Sequence, residues 1–211
     1  MATTQPATVR RDTQLEGRIL KAFSARARRN GPRGVVMADL ARELQISTKT
    51  LYRLFPTKAD LVQQLMERWA GRFDRDLENG ATASDQLPFV EQLLTTSEVW
   101  QASRRRFGNR FWDELERDYP ESYALLVDAR LRLRQQILER LGPHMAPGLV
   151  PELAMELFDA ALARALEPEV QRRLGVDSRA AIRHAVRIWA GGCLVHPLPR
   201  REPRRPNSSE V

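Results

Sequence analysis

The sequence has very little cysteine: Cys193 is the only one in 211 residues. A single thiol excludes an intramolecular disulfide and fits a reducing compartment. The sequence also lacks an apolar run long enough to cross a bilayer, and its polar first twelve residues have no apolar signal-peptide core. We therefore expect a cytoplasmic protein with no membrane partner.

Residues with the spacing of a metal site are absent too. The three histidines, His144, His184 and His196, lie far apart in the sequence. No nucleophile with a matching base stands out, although an enzyme needs such a positioned set. We therefore expect a protein that is not an enzyme and that has no cofactor or metal. The alternative function from a different functional class is that of an enzyme.

Strand patterns are nearly absent, since no run of alternating Val, Ile or Thr occurs. Most segments repeat apolar residues three and four positions apart, which is the period of an amphipathic helix. The sequence predicts an all-α fold with an N-terminal three-helix head in residues 13–60 and a helical bundle in residues 61–196. The basic arm 1–12 and the tail 197–211 have little to bury, so we expect both to be disordered.

Positive charge is concentrated near the N-terminus. Residues 13–60 contain ten Lys and Arg against four Asp and Glu, whereas residues 61–196 contain eighteen against twenty. A basic segment on a nearly neutral body is typical of a nucleic-acid contact at one end of a protein. A solvated charged surface is the simpler alternative.

The segment ISTKTLYRLFPTKADL, residues 46–61, contains the most informative pattern. We expect a short helix over about residues 37–44, a two-residue turn, and a second short helix that Ser47 caps and that ends near Phe55. Two such helices braced by a third form a helix-turn-helix, whose second helix enters the major groove of DNA with its N-terminal residues. Leu51 and Phe55 would anchor this helix to the bundle.

The sequence resembles the TetR family of bacterial transcriptional regulators. The match lies in RILKAF and then ADLARELQISTKTLYRLFPTKADLVQQLMERW, within about residues 18–69. The resemblance implies that Thr48 and Lys49 face base edges and that Thr50, Tyr52 and Lys58 bind phosphates of double-stranded DNA. The predicted DNA-binding residues are Ser47, Thr48, Lys49, Thr50, Tyr52 and Lys58.

Three positions depart from the family pattern. Val36 stands where a threonine usually caps the second helix, so that cap comes from elsewhere or is missing. Gln45 replaces a common turn glycine, which adds strain if the residue has a positive φ. Arg26 and Ala27 replace a Leu-Phe pair and predict a smaller core at that point.

The resemblance also implies a homodimer that binds a pseudo-palindromic operator, with the last two helices forming the dimer interface. Apolar stripes on both helices support this, and a simple core is the alternative explanation. Trp189 would be a central anchor, because tryptophan is enriched at binding hot spots. The predicted interface residues are Leu153, Leu157, Ala161, Ile182, Ala185 and Trp189.

Between the head and these helices, the resemblance implies a cavity for a small-molecule effector. Each aromatic residue of this region is individually better explained as core. Arg104 and Arg110 lie in a basic turn that we expect to be solvated, with contact to an anionic ligand as the alternative. The predicted cavity residues are Trp69, Phe73, Trp100, Phe107, Phe111, Trp112 and Tyr123.

These features predict a TetR-type regulator, and more specifically a repressor that its effector releases from DNA. The alternative is a structural or nucleoid factor that uses the same head without a small-molecule switch. Arg10 and Arg11, just before the first helix, could enter an adjacent minor groove. A solvated tail is the alternative for these two residues.

Overall fold

The computed structural model describes residues 7–84 and 89–195. Within those ranges the chain forms ten α-helices, one 3-10 turn and a single isolated bridge between Met145 and Leu194, with no β-strand. The prediction of an all-α fold is confirmed. None of the described helices combines the length and the apolarity needed to cross a bilayer.

The helices are α1 (Ala7–Asn30), α2 (Met37–Glu43), α3 (Thr48–Leu54), α4 (Lys58–Ser84), α5 (Phe89–Arg105), α6 (Asn109–Asp118), α7 (Pro120–Leu141), α8 (Pro151–Ala165), α9 (Pro168–Leu174) and α10 (Ser178–Cys193).

The described chain divides into two compact units. Residues 7–84 and 95–133 form the first, and residues 89–94 and 134–195 form the second. Helices α5 and α7 therefore contribute residues to both units. The predicted division between a head ending at residue 60 and a body of residues 61–196 is a functional one, and it stays a prediction.

The head of the first unit has an apolar core that α1, α2, α3 and the start of α4 share. Phe23 of α1 and Leu61 of α4 are fully buried, and α1 contacts both α2 and α4. These helices form because their apolar residues recur three and four positions apart and so share one face. Leu51 and Phe55 are buried, as predicted for the anchors of α3, and Leu40 and Ala41 of α2 are buried as well.

The second unit has its own core, in which α8 packs against α10 and the first turns of α5. Trp189 of α10 lies in this core, with its ring centroid 5.2 Å from that of Phe158. Its indole Nε1 donates a hydrogen bond of 2.7 Å to the Ala154 carbonyl, so the buried polar atom is satisfied.

The first helix begins earlier than predicted, at Ala7 and not near Thr13. The expected disordered arm therefore does not extend to residue 12. Asp12 forms an ion pair with Arg53 of α3, which gives the start of α1 a fixed partner that a local sequence pattern does not reveal. Residues 1–6 of the arm and the tail 197–211 lie outside the described residues.

Helix α4 continues through Gly80 and ends at Ser84. Helix α9 is an element that the sequence reading missed, since seven residues are too short for a clear period. Two residues in the sequence indicate this helix. Pro168 lies in its first turn, where proline is common, and Gly175, with a φ of 64°, lies just past its end, where glycine is common.

Candidate nucleic-acid interface

The turn between α2 and α3 is held by backbone hydrogen bonds. The Ile46 N–H donates to the Ala41 carbonyl at 3.0 Å, and the Gln45 N–H donates to the Arg42 carbonyl at 3.1 Å. Gln45 has a φ of 54°, so it occupies the left-handed region that favours glycine. The strain anticipated at this position is therefore present, and an L-residue there costs about 1–2 kcal/mol.

The start of α3 is capped as predicted. Ser47 Oγ accepts a hydrogen bond of 2.9 Å from the Thr50 N–H and lies 2.8 Å from Thr50 Oγ1. The cap satisfies one of the free N–H groups at the helix start and fixes the direction in which α3 begins. Thr48 and Lys49, the next two residues, are exposed at this end of the helix.

The opposite face of α3 fixes it to the head. Leu51 is fully buried and Phe55, just beyond the helix, is 2% exposed. Tyr52 is 47% exposed, on the side away from that core. A polar, exposed leading end on a firmly packed helix is the geometry with which a recognition helix enters a major groove.

The start of α1 is attached to α3 by an ion pair that the sequence did not predict. The Arg53 guanidinium donates to both carboxylate oxygens of Asp12, at 2.9 and 3.1 Å. The hydrogen bond from Arg53 lowers the pKa of Asp12. Arg10 and Arg11 belong to the same helix just before Asp12, and their minor-groove role remains a prediction.

Helix α4 begins with a reciprocal cap between Thr57 and Asp60. The Thr57 N–H donates to Asp60 Oδ2 at 2.7 Å, and the Asp60 N–H donates to Thr57 Oγ1 at 3.1 Å. Lys58 follows, and its Nζ donates to the Arg33 carbonyl at 2.8 Å. Burial lowers the pKa of Lys58. An ammonium group has three donors, so this bond leaves Lys58 able to contact a phosphate as well.

The two other departures from the family pattern can also be seen. Val36 occupies the N-cap position of α2 and makes no side-chain hydrogen bond there, so the side-chain cap that a threonine would supply is missing. Ala27 is fully buried, and Arg26 turns outward, with its Nε 2.7 Å from Glu43 Oε2.

A buried carboxylate joins the head to α6. Glu114 is 5% exposed, and its Oε2 accepts a hydrogen bond of 2.9 Å from the Arg33 N–H in the loop before α2. Its Oε1 accepts one of 2.8 Å from Arg110 Nε. The carboxylate lies against Gly31, whose φ is 72°, and a Cβ there would be 2.2 Å from Oε2. A glycine is therefore required at this position.

The charges around Glu114 keep it ionised. Burial by itself would raise the pKa of Glu114, but the hydrogen bonds from Arg110 and from the Arg33 N–H outweigh it, and the pKa is lowered. In addition, Nη1 of the Arg33 guanidinium lies 3.8 Å from Oδ2 of Asp118. Sequence reasoning missed this contact, because Arg33 and Glu114 are 81 positions apart and no local pattern connects them.

Comparison with known proteins agrees with this geometry. The profile of the family "Bacterial regulatory proteins, tetR family" matches residues 19–65, which include the whole helix-turn-helix. The match covers the head alone, and over those residues the sequence is similar to the DNA-binding part of the TetR family. No functionally curated protein matches the chain.

Solved structures extend the likeness in fold to most of the chain. A candidate TetR-family regulator from Mesorhizobium loti MAFF303099 is similar with a TM-score of 0.64 at 16% identity, over 88% of this chain and 99% of that one. A TetR regulator from Chloroflexus aurantiacus J-10-FL gives 0.60 at 14% identity, over 88% and 98%. A TetR-family regulator from Agrobacterium tumefaciens gives 0.59 at 19% identity, over 84% and 96%. The chain therefore shares the fold of these structures.

The aromatic residues predicted to line a cavity pack against one another in the first unit. Phe107 and Phe111 stack with ring centroids 4.2 Å apart, and Trp69 stacks on Phe73 at 5.6 Å. Trp112 meets Trp69 edge to face, also at 5.6 Å. These rings serve as core, and the effector cavity remains a prediction. Trp100 and Tyr123 are half-buried.

The residues predicted for the dimer interface separate into two groups. Leu153, Leu157 and Ala161 are exposed on α8. Ile182 and Trp189 are buried within the unit, where the Trp189 ring packs in the core of its own chain. Their role in a dimer interface stays a prediction. The sixth residue, Ala185, is half-buried beside that core.

Residues 7–84 and 89–195 contain no group of three or more His, Cys, Asp or Glu side chains that could hold a metal ion.

Proposed function

We propose that this protein is a TetR-type repressor that binds a pseudo-palindromic operator as a homodimer and that a small-molecule effector releases from DNA. The observation that carries the proposal is the leading end of α3. It is capped by Ser47, exposes Thr48 and Lys49, and is anchored by Leu51 and Phe55. Its place of action would be the cytoplasm, where bacterial DNA lies.

The DNA contacts divide by the position of each side chain. Thr48 and Lys49 lead the helix and would read base edges, where a good pair contributes about 1–3 kcal/mol of discrimination. Tyr52, Lys58 and the hydroxyl of Thr50 would contact phosphates, which position the protein without reading sequence. The basic head supplies the attraction that makes such binding depend on salt.

Selection from a pool of random duplexes tests this function. A dimer with two identical heads should select an inverted repeat whose half-sites are about one helical turn, or a few turns, apart. Selection of a single half-site, or of no common sequence, would contradict the proposal.

The dimer partner is a second copy of the chain, bound through the exposed face of α8. Leu153, Leu157 and Ala161 are spaced by four and so share one face, and the two leucines are 57% and 60% exposed. Ile188, on the neighbouring α10, is 77% exposed. Apolar surface of this kind marks an interaction site, and a stable dimer buries about 800 Å² on each partner.

Light scattering of the purified protein tests the interface. Leu157→Glu places a charge in the proposed contact and should give a monomer. Leu131→Glu is the matched control, because Leu131 on α7 is exposed to a similar extent, 57%, but lies outside the proposed face. A dimeric Leu157→Glu variant would show that the subunits meet elsewhere.

The effector separates a regulator from the alternative nucleoid factor. The half-buried rings of Trp100 and Tyr123, beside a packed aromatic cluster, support a site for an apolar or aromatic molecule. A regulator loses operator affinity when its effector binds, whereas a structural factor does not. Each candidate effector is added to the operator complex, and dissociation is followed by fluorescence anisotropy.

A further inference from the structure

Arg104, in the last turn of α5, is a half-buried cation without a protein counter-ion. Its guanidinium carbon lies 5.3 Å from the centroid of the Trp112 ring, so one flat face of the group is against an aromatic surface. Within the described part of the chain, its side chain forms neither an ion pair within 4.0 Å nor a hydrogen bond. Arg110, the other candidate for an anionic ligand, is already bonded to Glu114 at 2.8 Å.

The surroundings of Arg104 favour an added anion. Burial lowers the pKa of Arg104, and the positive charge of Arg130 lowers it further, while Tyr123 and the carboxylates of Asp113 and Glu116 act in the opposite direction. Removing a cation from water is costly unless a counter-charge is supplied. None of these carboxylates is close enough to pair with it, so a bound anion would be the counter-charge.

The same group is accessible to a ligand. Among the described residues, no buried side-chain nitrogen or oxygen lacks a hydrogen-bond partner, so the unbonded N–H groups of Arg104 keep contact with solvent. Trp100 lies one helical turn earlier on α5, and residues four apart share a helix face. Trp100 and Tyr123 are half-buried, so neither residue is fully enclosed by the protein, and Tyr123 is close enough to Arg104 to affect its pKa.

We propose that Arg104 binds the carboxylate of an aromatic carboxylic acid, whose ring packs on Trp100 and Tyr123, and that this acid is the effector. The inference rests on the proposed effector-responsive function. A guanidinium presents parallel N–H groups that match the two oxygens of a carboxylate, and the half-buried rings suit a planar apolar body. A cationic ligand is disfavoured, because Arg104 and Arg130 both repel it.

The test uses 1-naphthoate and its neutral counterpart 1-naphthamide as probes on the full chain. Binding is followed by quenching of tryptophan fluorescence, and release by the anisotropy of a labelled operator. The acid should bind saturably and weaken operator binding, and the amide should do neither. Arg104→Met keeps an apolar stem on Trp112 and should lower affinity for the acid by about tenfold or more, while Arg104→Lys recovers only part of it.

Arg105→Met is the matched control, because Arg105 is the exposed neighbour on the same helix and should bind the acid like the wild type. Equal binding of acid and amide, undiminished acid binding by Arg104→Met, or no binding of the acid at all would overturn the inference. Operator binding without any probe is measured first. Its absence would defeat the proposed function, whereas intact operator binding that ignores the acid defeats only the role of Arg104.

Discussion

Replacing Glu114 by alanine tests whether a buried carboxylate holds α6 against the head. The side chain is 5% exposed and accepts hydrogen bonds from the Arg33 N–H at 2.9 Å and from Arg110 Nε at 2.8 Å. Alanine leaves the Arg33 N–H without its acceptor and a cavity where the carboxylate lay. Glutamine keeps an acceptor but removes the charge.

The expected cost follows from the surroundings of the two bonds. A hydrogen bond to a charged group contributes about 1.5–3 kcal/mol in an interior. The bond from Arg110, whose side chain is 67% exposed, is screened by water and contributes about 0.2–1 kcal/mol. We expect Glu114→Ala to lower the free energy of unfolding by about 2–4 kcal/mol and Glu114→Gln by about 1–2 kcal/mol. The alanine variant should melt about 5–15 °C lower.

The dependence on pH identifies the carboxylate as the cause. The pKa of Glu114 in the folded protein lies below its ordinary value of 4.5. The stability that the ionised group contributes is therefore complete above pH 4.5 and is lost as the pH falls through the folded pKa. The difference between wild type and Glu114→Gln should be constant near neutral pH and should narrow in acid.

Urea unfolding followed by circular dichroism, at neutral pH and in a series towards acid, measures both effects. Glu116→Gln is the control, because Glu116 is exposed two residues further along α6, and its effect should be within about 0.5 kcal/mol. A Glu114→Ala variant as stable as that control, or a gap to Glu114→Gln that does not change with pH, would refute the reasoning.

Three smaller changes test the head. Gln45→Gly removes the strain of a positive φ, which costs about 1–2 kcal/mol, but it also makes the unfolded chain more flexible, which lowers stability by about 0.5–1 kcal/mol. The free energy of unfolding in urea should therefore rise by about 0.5 kcal/mol. A clear fall would contradict the presence of strain. Ser47→Ala removes the cap of α3 and should cost about 1 kcal/mol, and an unchanged free energy of unfolding would mean that the cap is unimportant. Asp12→Ala breaks the pair with Arg53, so amide exchange should speed up in the first turns of α1, and unchanged exchange would show that the pair does not hold the helix.

Local features of the head could be predicted from the sequence because each is decided within a few residues. The cap at Ser47 and the burial of Leu51 follow from short-range spacing. The strain at Gln45 was anticipated from the family pattern, which has a glycine at that position. The family pattern then gives the order of the helices.

Contacts between distant parts of the chain could not be predicted. Asp12 and Arg53 are 41 positions apart, and each could equally have been a solvated surface charge. The apolar stripe of a helix is ambiguous in a similar way, because the same residues can pack in the core of their own chain or against a partner chain. Only the packing of α8 on α10 shows that Trp189 lies in the core of its own chain and that Leu157 lies on the surface.

The central claim, that the leading end of α3 reads base sequence, is tested most directly by repeating the duplex selection with Lys49→Ala. The proposed function predicts that the selected half-site changes at the position Lys49 contacts and loses about 1–3 kcal/mol of discrimination there. Lys21→Ala, which removes the same charge from an exposed position of α1, should select the unchanged sequence. A Lys49→Ala variant that selects the wild-type sequence with undiminished discrimination would contradict the claim.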